Sequence, residues 1–195
     1  MDAAAVATIA AGYLLGSVDF GVIVPRLLGV DIYAEGSGNP GTTNVLRAMG
    51  RSTAAAVMVG DLAKGAVAAM AGDLVGGEVI GFAAGFAAVA GHCFPLWHRF
   101  RGGKGVATSA GIALWLEPLA GLGLLVAWAL LVGLTRRASI ASLVVAAAFV
   151  PVLALTDHRG WSLVWGGAVA LLIITRHHAN IRRLLGGSEP AIEAR

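Results

Sequence analysis

Apolar residues run along this chain in blocks separated by short polar or glycine-rich joints: 3–25, 52–72, 77–96, 106–116, 118–134, 138–156 and 161–175. A straight membrane-crossing helix needs roughly 20 apolar residues. The run at 106–116 is too short for that, and Glu117-Pro118 separates it from the next, so it reads as a short helix entered from a loop. The pattern predicts an all-α polytopic membrane protein with seven transmembrane helices, one of them short, in a single domain over residues 1–195. No basic region precedes the first apolar run, which therefore reads as a retained helix and not a cleaved signal.

The charged positions orient these spans. If the spans alternate, Arg26, Arg47, Arg51, Arg99, Arg101, Lys104, Arg136, Arg137, Arg176, Arg182, Arg183 and Arg195 fall on one side. Asp2, Asp73, Glu78, Glu117 and Asp157 fall on the other, where Arg159 is the lone Lys or Arg. Short basic loops stay cytoplasmic, so the N-terminus is expected outside and the C-terminus inside. The bulk numbers agree: 57% of residues are hydrophobic and 13% charged, against about 25% charged in soluble domains. A pI of 9.6 would suit a nucleic-acid binder, but the basic residues line one membrane face, which argues against that partner. The single cysteine, Cys93, excludes an internal disulfide. The residues after Leu184 form a short polar end expected to be loosely ordered.

Two glycine-rich segments, GSGNPGTTNVLR (36–47) and FRGGKGVATSAG (100–111), interrupt the oily pattern on the expected cytoplasmic side. Irregular polar backbone at membrane depth is tolerated only where protein buries it or it lines a wet cavity. In the first segment Gly36, Gly38 and Gly41 expose backbone N–H groups, Ser37, Asn39, Thr42, Thr43 and Asn44 add donors, and Arg47 adds a forked cation. In the second, Gly102-Gly103-Lys104-Gly105 opens the short helix, whose N-terminus adds partial positive charge to that of Lys104. Both patterns suit a phosphate. Their plainer readings are a solvated helix-capping loop and a basic anchor for anionic lipid heads. The P-loop pattern G-x-x-x-x-G-K-[ST] is incomplete, because Gly105 follows the lysine, and this disfavours nucleotide hydrolysis.

Other polar residues stand out against apolar surroundings. Asp61 and Lys64, at i, i+3 in the second run, either pair along one helix face or serve a site. Asp19 has no partner within helical reach. His92, the turn-spaced pair His177 and Asn180, and the pair Ser139 and Ser142 are candidate donors near helix ends. No metal or cofactor signature is present: there is no H-E-x-x-H and no cysteine pair. A G-x-S-x-G nucleophile elbow is also missing. Soluble-type acyltransferases place Asp five residues after a His, and here those positions hold Trp97, Gly103, Leu163, Arg182 and Arg183. On the residues alone, an enzyme of phosphorylated substrates, a small organic-phosphate transporter and a structural membrane subunit stay open.

The segments YLLGSVDFG, GSGNPGTTNVLRAMG, GDLAKG, GHCFPLWHRFRGGKGVATS, TRRASIASL and RHHANIRRLLGGSEP, in that order over residues 11–190, resemble the bacterial acyl-phosphate:glycerol-3-phosphate acyltransferase family. The resemblance implies an enzyme of the bacterial cell (inner) membrane with its site toward the cytoplasm. It implies transfer of an acyl chain from acyl phosphate to the 1-hydroxyl of sn-glycerol 3-phosphate, giving lysophosphatidic acid and phosphate without a cofactor. Lys104, His177 and Arg47 are then expected to be catalytic. Ser37, Gly38, Asn39, Gly41, Asn44, His92, Gly102, Gly103, Gly105, Thr108, Ser139, Ser142 and Asn180 are expected to bind substrate. The first loop, with Asn39 and Asn44, would hold the acyl-phosphate head, and Arg47, Lys104, Ser142, His177 and Asn180 the glycerol 3-phosphate. Pro40, Thr42 and Asp19 depart from the family's usual residues, and Pro40 removes one N–H from the loop.

Overall fold

The apolar runs become helices packed through small residues. In the computed structural model, which describes residues 1–192, these are α1 (Ala3–Gly16), α2 (Phe20–Leu27), α3 (Thr42–Met49), α4 (Arg51–Cys93), α5 (Val106–Leu116), α6 (Pro118–Thr135), α7 (Ala138–Leu155), α8 (Trp161–Arg176) and α9 (His178–Leu185). Arg195, counted above among the basic residues, lies outside the described residues.

The first run is two helices, not one. The chain breaks at Ser17–Asp19, where Asp19 is extended (φ −95°, ψ 93°). The break leaves the Val18 carbonyl without a helical partner, and it accepts a hydrogen bond from Lys64 Nζ at 2.8 Å. The second and third runs form one continuous element, α4, that folds back on itself at Gly76–Gly77. Gly77 takes φ +73°, a conformation costly to any residue with a Cβ. The two limbs then touch closely enough that a Cβ on Gly72 would lie 2.4 Å from the Ile80 carbonyl oxygen.

Four helical stretches are long and apolar enough to cross a membrane: Ala3–Leu27, Arg51–His98 (which contains the fold-back), Pro118–Thr135 and Ala138–Leu155. Val106–Leu116 and Trp161–Arg176 are shorter apolar helices. Helix α5 lies directly on α4, as backbone-to-backbone packing between small residues allows: a Cβ on Gly65 would meet the Thr108 carbonyl oxygen at 2.0 Å. Only Gly121 of α6 is buried, and Leu119, Leu122, Val126, Leu130 and Leu134 are exposed. Such an apolar face suits lipid contact.

Two apolar clusters fix the two ends of the site. Phe82, Val89, Ile112, Phe149, Val169 and Ile173 join α4, α5, α7 and α8. Val22, Ile32, Val45 and Val57 seat the 36–41 loop and α3 against α2 and α4. At the other end of the bundle, His158 is buried with Nδ1 2.9 Å from Glu78 and Nε2 2.7 Å from Glu117. Two of the acidic residues expected on one side therefore share a single cluster, away from the glycine-rich segments.

Candidate active site

A cavity of about 670 Å³ opens among α3, α4, α5, α6, α7, α8 and α9. One pole is polar, formed by the 36–47 segment, Lys104, Ser139, Ser142, His177 and Asn180. The other is an apolar shaft that ends at Gly121, Ala113 and Phe149. Along α7 the wall changes from Ser139 and Ser142 to Val145, Ala146 and Phe149. Ten residues separate the ends of that stripe, about 15 Å at helical rise.

The first glycine-rich loop is built by its own side chains. Asn44 accepts from the Ser37 N–H at 3.0 Å and donates to the Glu35 carbonyl at 2.9 Å. Asn39 Oδ1 accepts from the Gly41 N–H at 3.0 Å. These amides shape the loop, which accounts for their presence without any direct ligand contact. What remains available is backbone. The first-turn N–H groups of α3 and α5 have no intrahelical acceptor, and Thr42, Thr43, Val106 and Ala107 all line the cavity. Two helix N-termini thus converge on the polar pole, with the partial positive charge that draws anions.

The cations are held in a relay. Lys104 Nζ donates to Asn180 Oδ1 at 2.6 Å, and Asn180 Nδ2 donates to Glu189 Oε1 at 2.7 Å. Burial pushes Lys104 down to about 8; the Glu189 carboxylate opposes this, while Arg183, Arg176 and Arg47 add to it. His177 Nδ1 lies 2.7 Å from the Ile173 carbonyl, so Nδ1 carries the proton and Nε2 keeps a lone pair. Burial, reinforced by the Lys104 charge, pushes His177 down to about 4. Ser142 Oγ accepts from Trp128 Nε1 at 3.0 Å, which leaves its own O–H to donate.

Residues 188–192 are not loose, as expected above for the polar end, but strapped across this pole, and residues 193–195 of that end lie outside the described residues. Glu189 accepts from Ser139 Oγ and Asn180 Nδ2, both at 2.7 Å, and from Arg183 Nε at 2.7 Å. Burial raises the Glu189 pKa, but those three hydrogen bonds outweigh it and hold the carboxyl below its usual range. Arg47 donates to the carbonyls of Pro190 (3.1 Å) and Ala191 (3.2 Å), and Arg137 Nε to that of Glu189 (3.1 Å). Glu189, Arg183 and Trp128 line the cavity and were missed as site residues. The signal for the strap was the Gly-Gly-Ser-Glu-Pro stretch, where an acidic residue follows three arginines.

Of the expected site residues, Ser37, Asn39, Gly41, Asn44, Arg47, His92, Lys104, Gly105, Ser139, Ser142, His177 and Asn180 line the cavity. Gly38, Gly102, Gly103 and Thr108 do not. Gly38 and Gly102 face a neighbouring pocket, and Thr108 is fully buried where α5 meets α4. Gly103 lets the second loop lie against α4: its N–H donates to the His92 carbonyl at 3.1 Å, and a Cβ there would sit 2.1 Å from His92 Nε2. His92 has little room to yield, because its Nδ1 is 2.9 Å from Lys64 Nζ and 3.4 Å from Asp61 Oδ1. Gly103→Ala is therefore expected to destabilise the protein by about 1–3 kcal/mol, read as a lower midpoint of thermal unfolding in detergent.

Asp61 and Lys64 do pair, at 2.8 Å and about 1% exposed. Asp19 lies fully buried, and neither of its carboxylate oxygens has a hydrogen-bond partner among the described residues. Asp61 and His92 line the cavity from below, so this charged cluster supports its floor.

Comparison with known proteins converges on one family. The sequence model of glycerol-3-phosphate acyltransferases matches residues 6–187. The glycerol-3-phosphate acyltransferase of Thioalkalivibrio sulfidiphilus is 43% identical over 190 residues, covering 95% of this chain and 93% of that protein. The one from a Jannaschia species is 44% identical over 181 residues, covering 92% and 89%. Crystal structures of PlsY (YgiH), an integral membrane glycerol 3-phosphate acyltransferase, superpose with TM-scores of 0.93 for the glycerol 3-phosphate form and 0.91 for the lysophosphatidic acid form. Both are 34% identical and cover 97% of this chain and 96% of that chain.

Proposed function

Because the chain belongs to the glycerol-3-phosphate acyltransferase family, an integral membrane enzyme class of phospholipid synthesis, we propose that its acyl donor is acyl phosphate and its product lysophosphatidic acid. The observation that carries this reading is the union of an anion-binding pole with an apolar shaft in one cavity, whose α7 wall runs about 15 Å from Ser139 to Phe149. An acyl phosphate has that same division. Its tail fills the shaft between α5, α6, α7 and α8, and its phosphate meets the N–H groups at the starts of α3 and α5. Glycerol 3-phosphate is held by Lys104, Arg47, Ser142, His177 and Asn180.

The glycerol 1-hydroxyl attacks the acyl carbon, a tetrahedral oxyanion forms, and the bond from that carbon to the phosphate oxygen breaks. Among the described residues no serine is hydrogen-bonded to a histidine: Ser139 donates to Glu189, a carboxylate already held by Asn180 and Arg183 and therefore a weak base, Ser162 donates to Glu78 at the opposite end, Ser142 serves Trp128, and Cys93 is buried. Direct transfer follows, driven by proximity and charge stabilisation. His177, at about 4, is a weaker base than a phosphate oxygen, whose second pKa is about 6. The hydroxyl proton therefore goes to the departing phosphate, and His177 Nε2 orients the hydroxyl by accepting its hydrogen bond. His177→Ala is expected to raise KM for glycerol 3-phosphate about tenfold and to change kcat little. A collapse of kcat at constant KM would make His177 the base instead.

In this reading the seven crossings are α1 with α2, the two limbs of α4, and α5, α6, α7 and α8, with residues 1–195 as one domain. The basic side, and with it the polar pole, faces the cytoplasm of the bacterial cell. The cavity lining includes none of Glu78, Glu117 and His158 at the opposite end, which fits a one-sided enzyme better than a transporter. One phosphate released for each glycerol 3-phosphate consumed tests the donor assignment. Consumption without phosphate release would refute it.

A further inference from the structure

Beside the reaction cavity lies a second, open pocket of about 290 Å³, and Ser37 and Asn39 line both. Its wall also includes Tyr33, Arg101 and Arg176, and no carboxylate. Arg101 is held in a particular way. Its guanidinium stacks on the Tyr33 ring at 4.8 Å, and Tyr33 Oη donates to the Arg101 carbonyl at 2.6 Å. The turn that presents it carries two successive residues with positive φ, Arg99 (54°) and Phe100 (60°), a strain that persists only where the surroundings impose it. Yet the guanidinium makes no hydrogen bond or ion pair among the described residues. Arg176 is anchored on one edge, donating to the carbonyls of Gly103 (3.1 Å) and Gly102 (2.9 Å), and stacks on Phe94 at 5.0 Å.

A solvated anchoring arginine needs neither a shelf nor a strained turn. A guanidinium fixed with its N–H fork unused is set to receive a planar or tetrahedral oxyanion. We propose that this pocket is a second phosphate site, which takes the inorganic phosphate released by acyl transfer as it passes from the reaction cavity to solvent. The assignment of released phosphate rests on the function proposed above. The leaving group starts at the N–H groups of α3, which the 36–41 loop leads into, and Ser37 and Asn39 of that loop line both pockets, so the transit is short. The reaction balances without any further participant: the phosphate already carries the hydroxyl proton, and only its position changes.

Equilibrium dialysis of the full chain in detergent against radiolabelled inorganic phosphate tests the site. Up to three phosphates per chain are expected, two in the reaction cavity and one in the second pocket; Arg101→Gln removes the one in the second pocket, and Lys104→Ala weakens only those in the cavity. Tyr33→Leu, which removes the shelf and keeps the charge, should weaken the Arg101-dependent phosphate about tenfold. In turnover assays, Arg101→Gln should abolish the part of phosphate inhibition that saturating substrates do not relieve. A phosphate stoichiometry that both Arg101→Gln and Tyr33→Leu leave unchanged would overturn the proposal. Loss of the Arg101-dependent phosphate in nanodiscs of phosphatidylglycerol, but not of phosphatidylcholine, would assign the pocket to a lipid headgroup and overturn it as well. An Arg101-sensitive phosphate without acyl transfer would refute the reaction and leave the site standing. Acyl transfer with no Arg101-sensitive phosphate would do the reverse.

Discussion

Lys104→Ala should lower kcat by about 10²–10³-fold while leaving the helical fold intact. Among the described residues Lys104 is the one ammonium at the polar pole, it stands at the start of α5, and it is held by Asn180 at 2.6 Å. Because Asn180 is itself fixed by Glu189, the lysine is aimed before any ligand arrives, and its charge needs no reorganisation as the oxyanion forms. The pH dependence has a definite sign. With Lys104 near 8 in the free protein, its ammonium is present below that pH and lost above it, so kcat/KM should fall as pH rises through about 8. His177, at about 4, stays neutral over the same range and adds no step. Lys104→Arg keeps the charge at high pH and should remove the alkaline fall, whatever it does to the maximum. Circular dichroism and steady-state kinetics across pH 6–10 (roughly the span set by ordinary lysine and histidine values) separate loss of charge from loss of fold.

Asp61→Ala should cost about 3–5 kcal/mol of stability, because it strands a buried charge. Asp61 and Lys64 are 2.8 Å apart and about 1% exposed. Lys64 also holds the Val18 carbonyl at the α1–α2 break and the His92 ring below the cavity. Removing the carboxylate leaves an ammonium with one carbonyl and one imidazole nitrogen. The double change Asp61→Leu/Lys64→Met removes both charges and should recover most of the loss. Unfolding in mixed detergent micelles, followed by helical circular dichroism, gives the comparison. Equal destabilisation by the single and double changes would show that shape, not the stranded charge, is what matters at this floor.

Much of the bundle was legible because lipid and length constrain it: runs of apolar residues have few other fates than helices that pack or cross. The fold-back at Gly76–Gly77 and the short α5 before Glu117-Pro118 follow the punctuation of the sequence. The break at Asp19 was not legible, because the Val18 carbonyl it frees is satisfied by Lys64, a residue distant in sequence. The site residues separated for a similar reason. Glycines at a phosphate loop and glycines at a tight packing contact look alike in sequence. Gly103 and Thr108 turned out to serve contacts with α4, while Gly105 reached the cavity wall. The strap was hidden because polarity and a terminal position read as loose chain. The buried carboxylate of Glu189, with Ser139, Asn180 and Arg183 around it, is a tertiary arrangement that no local pattern encodes.

The central claim is that one cavity joins acyl phosphate to glycerol 3-phosphate directly. The most direct test presents the purified protein with radiolabelled glycerol 3-phosphate and, in parallel, palmitoyl phosphate, palmitoyl-CoA or palmitoyl-acyl carrier protein. Labelled lysophosphatidic acid formed from palmitoyl phosphate alone, and lost in Lys104→Ala, is the expected result. Product from a thioester donor at a comparable rate, or none from palmitoyl phosphate, would contradict it.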